Sequence, residues 1–141
     1  MATIKTSYRD IINFVNAASR WQSIQERDKL PQTKLSYAVA RMLKRCQRPL
    51  EDYNGKIEDL RLEQALEDEK TKAVLRDEQQ QYKFSKAGLK KVLEDQRGLL
   101  SQEIEIEPYT ATALPEDLSD DVRIAFEGFV IKAEPEPDAA T

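Results

Sequence analysis

The chain has 141 residues, with 22 Lys and Arg against 26 Asp and Glu, no histidine and one cysteine, for a formal net charge of −4. That length amounts to one domain with a modest core. The missing residue types exclude histidine-based acid–base catalysis, zinc-finger sites and disulfide frameworks. Charge is unevenly placed: residues 1–50 hold ten basic and three acidic side chains, the remainder twelve and twenty-three. Halves of opposite sign attract each other or a partner, and compensation within one molecule is the simpler expectation. Residues 1–10 lack the apolar run of a secretion signal, and no stretch approaches the roughly 18 apolar residues of a membrane span.

Ala2 to Lys5 has the composition of a short strand. Thr6 and Ser7 then precede Ile11, Ile12, Phe14, Val15, Ala18, Trp21 and Ile24. A hydroxyl there can accept a bond from an orphan helix N–H, so a first helix is expected over about residues 7–24. Leu30-Pro31 breaks the chain, because proline disfavours helical backbone at the residue before it. Thr33 can cap a second helix. Its apolar positions, Leu35, Val39, Met42, Cys46, Leu50, Tyr53, Ile57 and Leu60, recur at steps of three and four, which places them on one stripe. A helix over 33–68 would be on the order of 50 Å long and should project or bend, with Pro49 as the bending point. Lone Cys46 sits on the stripe as a small buried hydrophobe.

Residues 70–84 lose the helical period and suggest two short strands or a loop. Ser85 can cap a third helix carrying Leu89, Val92, Leu93, Leu99 and Leu100, which would fold back on the second as an antiparallel hairpin. After Ser101 the period becomes two, with Ile104 and Ile106 alternating with glutamates as in a half-exposed strand. Tyr109 to Leu114 could continue that strand or pair with it. Ser119-Asp120-Asp121 starts a last helix containing Val122, Ile124, Ala125, Phe126, Phe129, Val130 and Ile131. Residues 132–141, acidic and proline-containing, are expected to form a disordered tail. The expected fold is therefore α+β, mainly α. An antiparallel helical hairpin, with one or two further helices and a small β-hairpin or short strands, forms a single domain over residues 1–131.

Candidate chemistry is sparse. Glu103, Glu105 and Glu107 are dense acids with nothing to make them converge on a metal, and phosphate-cradling glycine loops and nucleophile elbows are missing. Neither an enzyme nor a cofactor is expected. Lys34, Arg41, Lys44, Arg45 and Arg48 cluster on the first half of the long helix. This basic face can pair with acids such as Glu94 and Asp95 on the facing helix, meet a protein partner, or neutralise a few phosphates of a nucleic acid. No aromatic interleaves these cations as read from the sequence, which disfavours nucleic acid. Phe126 and Phe129, with Phe14 and Trp21, form either core or an exposed docking patch.

The order of Leu30-Pro31, Leu35-Ser36-Tyr37-Ala38-Val39-Ala40-Arg41, Tyr82-Lys83-Phe84, Glu103-Ile104-Glu105-Ile106-Glu107-Pro108-Tyr109, Leu114-Pro115-Glu116-Asp117-Leu118 and Ala125-Phe126-Glu127-Gly128-Phe129 resembles a group of small bacteriophage and prophage proteins of unknown function, over roughly residues 28–131. Pro49 departs from that pattern, where a helix former is expected. The resemblance implies a phage origin, expression in a bacterial host cytoplasm or association with the virion, and a role in virion assembly or host interaction. It brings no functional residues. The expected function is thus a non-enzymatic protein–protein interaction module with a phage or host partner. A dimer through the long helices is a further expectation, and a nucleic-acid-associated regulator using residues 34–48 is the alternative.

Overall fold

A computed structural model describes residues 3–132, in the order β1 (Ile4–Ser7), α1 (Tyr8–Arg27), α2 (Lys34–Gln64), α3 (Lys86–Leu100), β2 (Glu103–Ile106) and α4 (Asp120–Phe126). The chain is a mainly helical α+β protein with a two-stranded antiparallel sheet, as its patterning implies. Each helix starts at a hydroxyl residue whose oxygen accepts a backbone N–H: Ser7 from Asp10, Thr33 from Ser36, Ser85 from Gly88 and Ser119 from Val122. At α2 the arrangement is reciprocal, since the Thr33 N–H donates to Ser36 Oγ at 2.8 Å. Two donors that the first turn would otherwise orphan are thereby satisfied. None of the helices is long and apolar enough to cross a membrane.

The main core lies between α1 and the first half of α2. Ile11, Phe14, Ala18 and Trp21 from α1 meet Leu35, Ala38, Val39, Met42 and Cys46 from α2, and Ile106, Phe126, Phe129, Val130 and Ile131 close the cluster. Phe14 stacks on Phe129 with ring centroids 4.7 Å apart and meets Phe126 edge-on at 5.6 Å. Trp21 meets Phe126 edge-on at 5.6 Å as well. The helical hairpin of α2 and α3 forms, but it is not where most of the core sits. Of α3 only Gly88 and Val92 are buried, and Leu89 and Leu93 remain 45% and 52% exposed. A smaller cluster of Tyr8, Tyr53 and Ile57, flanked by Leu60, Leu99 and Leu100, joins α1 to the second half of α2 and to α3.

The 31-residue α2 runs through Pro49 without interruption, spanning roughly 46 Å. Its stripe is covered in two stages, by α1 and the C-terminal segment over Leu35–Cys46 and by α3 over Tyr53–Leu60. Leu35, Val39, Met42, Cys46, Tyr53 and Ile57 of the stripe are thereby buried within the chain. Between α2 and α3, where two short strands or a loop are expected, residues 65–84 form a connection tied by three isolated bridges, Ala65 with Phe84, Glu67 with Val74 and Arg76 with Tyr82. Leu66 N–H donates to the Lys83 carbonyl, Lys83 N–H to that of Leu75, and Leu75 N–H to that of Leu66, closing a ring.

β1 pairs antiparallel with β2, Ile4 opposite Ile106 and Ser7 opposite Glu103, across about a hundred residues. Tyr109 to Leu114 does not pair with β2. Instead Tyr109 N–H donates to the Phe129 carbonyl at 3.0 Å and Ala111 N–H to that of Val130 at 2.8 Å. This pairing is possible because α4 stops at Phe126, short of the Ile131 that the apolar run suggested, and turns at Gly128, whose φ of +87° suits glycine. The expected disordered tail, apart from Lys132, lies outside the described residues.

Candidate functional site

Packing Leu35, Ala38, Val39, Met42 and Cys46 inward turns the opposite side of the same helix outward. Lys34, Tyr37, Arg41, Lys44 and Arg48 follow one another at steps of three and four, so they share that outer face over roughly 21 Å. All five are exposed, and among the described residues none of the four cations makes an ion pair. No acidic side chain occurs between Asp28 and Glu51. The expected pairing with α3 does not form: Asp95 is bonded to Lys91 on its own helix at 3.1 Å. The reason is register, because α3 lies along Tyr53 to Gln64, with Gln96 donating to the Tyr53 hydroxyl and Gly88 against the Gln64 carbonyl.

Arg45 departs from the group in which the sequence places it. Its Nη1 donates to the Pro108 carbonyl at 2.8 Å and to the Glu107 carbonyl at 3.3 Å. It also lies 3.9 Å from the Glu107 carboxylate, and its guanidinium sits 5.1 Å from the centre of the Tyr109 ring. Planar guanidinium with several donors suits this combined stacking and bonding. Arg45 therefore clamps residues 107–109 to α2 instead of presenting a free cation.

The clamp leaves an open groove between the start of α2 and residues 107–112, of about 690 Å³, with Lys34 and Tyr37 on one wall and Tyr109 to Thr112 on the other. Tyr37 and Tyr109 meet edge-on across it at 5.9 Å. The groove is thus cationic and aromatic together. Tyr37 was within reach of sequence reading, since it stands at i+3 from Lys34 and i−4 from Arg41. Tyr109 was not, because only the fold brings it beside the helix.

Phe126 and Phe129, which the sequence leaves as either core or candidate partner contacts, are buried in the main core at 0% and 7% exposure. Their rings already have partners in Phe14 and Trp21, so neither is a surface contact. Burial pushes the Cys46 thiol up to about 11, well above its usual range, which keeps it protonated and unreactive. Glu103 and Glu105 project from β2 into solvent, and among the described residues no group of three acids or cysteines could hold a metal ion. Among the described residues the one acid lining the groove, Glu107, is beside Arg45. What the groove offers chemically is recognition: unpaired positive charge, two aromatic rings and hydrogen-bonding backbone. Comparison with protein-family models, with curated proteins and with solved structures returns no match.

Proposed function

We propose that the protein is a non-enzymatic interaction module that binds an acidic surface of another protein through the outer face of α2 and the adjoining groove. The observation that carries this reading is the run Lys34, Arg41, Lys44 and Arg48, exposed and without ion pairs among the described residues, with Lys34 also lining the aromatic groove. Isolated surface cations are common and mean little. Four on one face, with no acid among them over fifteen residues, form a field that attracts and orients an oppositely charged partner. The resemblance to phage and prophage proteins supports a setting in a bacterial cytoplasm or a virion, with assembly or host interaction as the role.

Tyr37 in line with the cations also favours a second reading, a nucleic-acid-associated regulator, since an aromatic ring among basic groups can stack a base. The overall negative charge and the removal of Arg45 from the cationic set weaken it. A photo-crosslinking residue placed at Arg41, and in a control at exposed Leu93, separates the possibilities in the bacterial cell. The proposal expects one dominant protein adduct from position 41 and none from 93, lost on R41E/K44E/R48E reversal in a protein crosslinked from Tyr37. Adducts that are equal from both positions refute it. Tight binding to single-stranded or duplex DNA with a steep salt slope would replace it by the second reading.

A further inference from the structure

The wall of the groove opposite α2 is a length of chain whose backbone hydrogen bonds are only partly used. Tyr109 and Ala111 direct their N–H groups toward Phe129 and Val130. Thr110 stands between these two residues and lines the groove itself. Among the described residues, neither backbone group of Thr110 has a backbone or side-chain partner, and Thr110 is exposed. Arg45 holds this stretch beside the helix at one end, and Lys34 stands at the other, eleven residues and roughly 16 Å along α2.

We infer that the groove takes an extended acidic peptide segment, which adds as a strand to Thr110 and sets a carboxylate against Lys34. The inference rests on the protein-binding reading above and specifies its mode. Strand addition draws affinity from main-chain hydrogen bonds and selectivity from where alternate side chains fall. A groove of roughly 16 Å accommodates about five extended residues at 3.3 Å each. Acidic rather than basic segments are selected because Lys34 has no countercharge among the described residues, while the groove's own acid, Glu107, is beside Arg45.

The test uses the full-length protein and a capped, fluorescein-labelled seven-residue peptide alternating glutamate and valine, followed by anisotropy at low salt. Two further peptides carry N-methyl groups at the even or at the odd positions. The parent peptide is expected to bind and to slow exchange of the Thr110 amide. One methylated form loses at least about tenfold in affinity, through lost main-chain bonds, and the other stays within about twofold. Lys34→Ala weakens the parent about two- to fivefold without changing the thermal unfolding midpoint. The inference is overturned if the parent does not bind, if both methylated forms bind as it does, or if the Thr110 amide is unaffected. It is equally overturned if oligothymidylate displaces the peptide at lower concentration, or if binding appears only once residues 133–141 are removed, which would seat the chain's own segment there. In each case the crosslinking from position 41 decides separately whether the basic face binds protein at all.

Discussion

Replacing Phe126 by alanine tests whether the C-terminal segment is core or contact surface. The Phe126 ring is fully buried, edge-on to both Phe14 and Trp21, and α4 supplies no other buried side chain. Truncating a buried phenylalanine costs about 3–5 kcal/mol, from lost transfer energy plus the cavity left behind. The two aromatic pairs, about 0.5–1.5 kcal/mol each beyond area, place this site toward the upper end. A loss of about 4 kcal/mol, against a urea slope of about 2 kcal/mol per molar for a chain of this size, lowers the unfolding midpoint by about 2 M. Trp21 is the sole tryptophan, so its fluorescence reports the transition from within the same contact. The control is Ile124→Ala on the same short helix, where the side chain is 71% exposed and the change should stay within about 0.5 kcal/mol. A Phe126→Ala protein less than about 1 kcal/mol weaker than wild type, or an Ile124→Ala protein equally damaged, would refute the burial of α4 against α1.

Gly98→Ala meets nothing within 4 Å and should stabilise the protein by about 0.5–1 kcal/mol through helix propensity, whereas at Gly88 a Cβ would lie 3.3 Å from the Gln64 carbonyl, so Gly88→Ala should show no such gain in thermal unfolding. Cys46 should resist a disulfide reagent at pH 8 until the protein is denatured. Because its folded pKa of about 11 exceeds the ordinary thiol value, the stability it contributes is intact below about pH 9 and falls as pH rises toward 11, by at most about 1.4 kcal/mol per pH unit. Arg45→Met should cost about 1–2 kcal/mol by stripping the Glu107 and Pro108 carbonyls of their donor and speed amide exchange at residues 109–111, while Lys44→Met does neither. The Tyr82 hydroxyl, bonded to the Glu58 carboxylate, should ionise above the usual tyrosine range in an ultraviolet titration, and Glu58→Gln should bring it back.

What could be read from the sequence follows the range over which each signal acts. Ser7, Thr33, Ser85 and Ser119 mark helix starts within three residues of the N–H groups they satisfy, and the α2 stripe repeats often enough to fix which side is buried. Ile104 and Ile106 announce a strand but not its partner, since Ile4 lies a hundred residues away. The end of α4 was overrun because Phe129, Val130 and Ile131 are as apolar as the helix before them. Only the positive φ at Gly128 and the bonds from Tyr109 and Ala111 show that they leave it. The site divides in the same way. Lys34, Arg41, Lys44 and Arg48 were legible as one face, while Arg45 was misread because its partners are two carbonyls, which carry no mark in a sequence.

The placement of charge explains how an acidic protein can keep a basic working face. If the surplus of cations in the first fifty residues served only to neutralise the acids that follow, ion pairs would join the halves, yet among the described residues only Arg45 and Glu107 do so. Glu51 and Asp52 stand only one turn beyond Arg48 on the same helix, but the acids past its end are held far from Arg41 and Lys44. Gln64, where α2 gives way to Glu67, Asp68 and Glu69, is twenty-three residues from Arg41, roughly 35 Å along the axis. At physiological salt this exceeds the screening length of roughly 8 Å about fourfold, so the acids at the far end barely weaken the field around Arg41 and Lys44. The net charge of −4 therefore describes neither end of the molecule. An approaching acidic segment meets the local positive field of α2, and its association rate should fall with added salt although both partners carry the same overall sign.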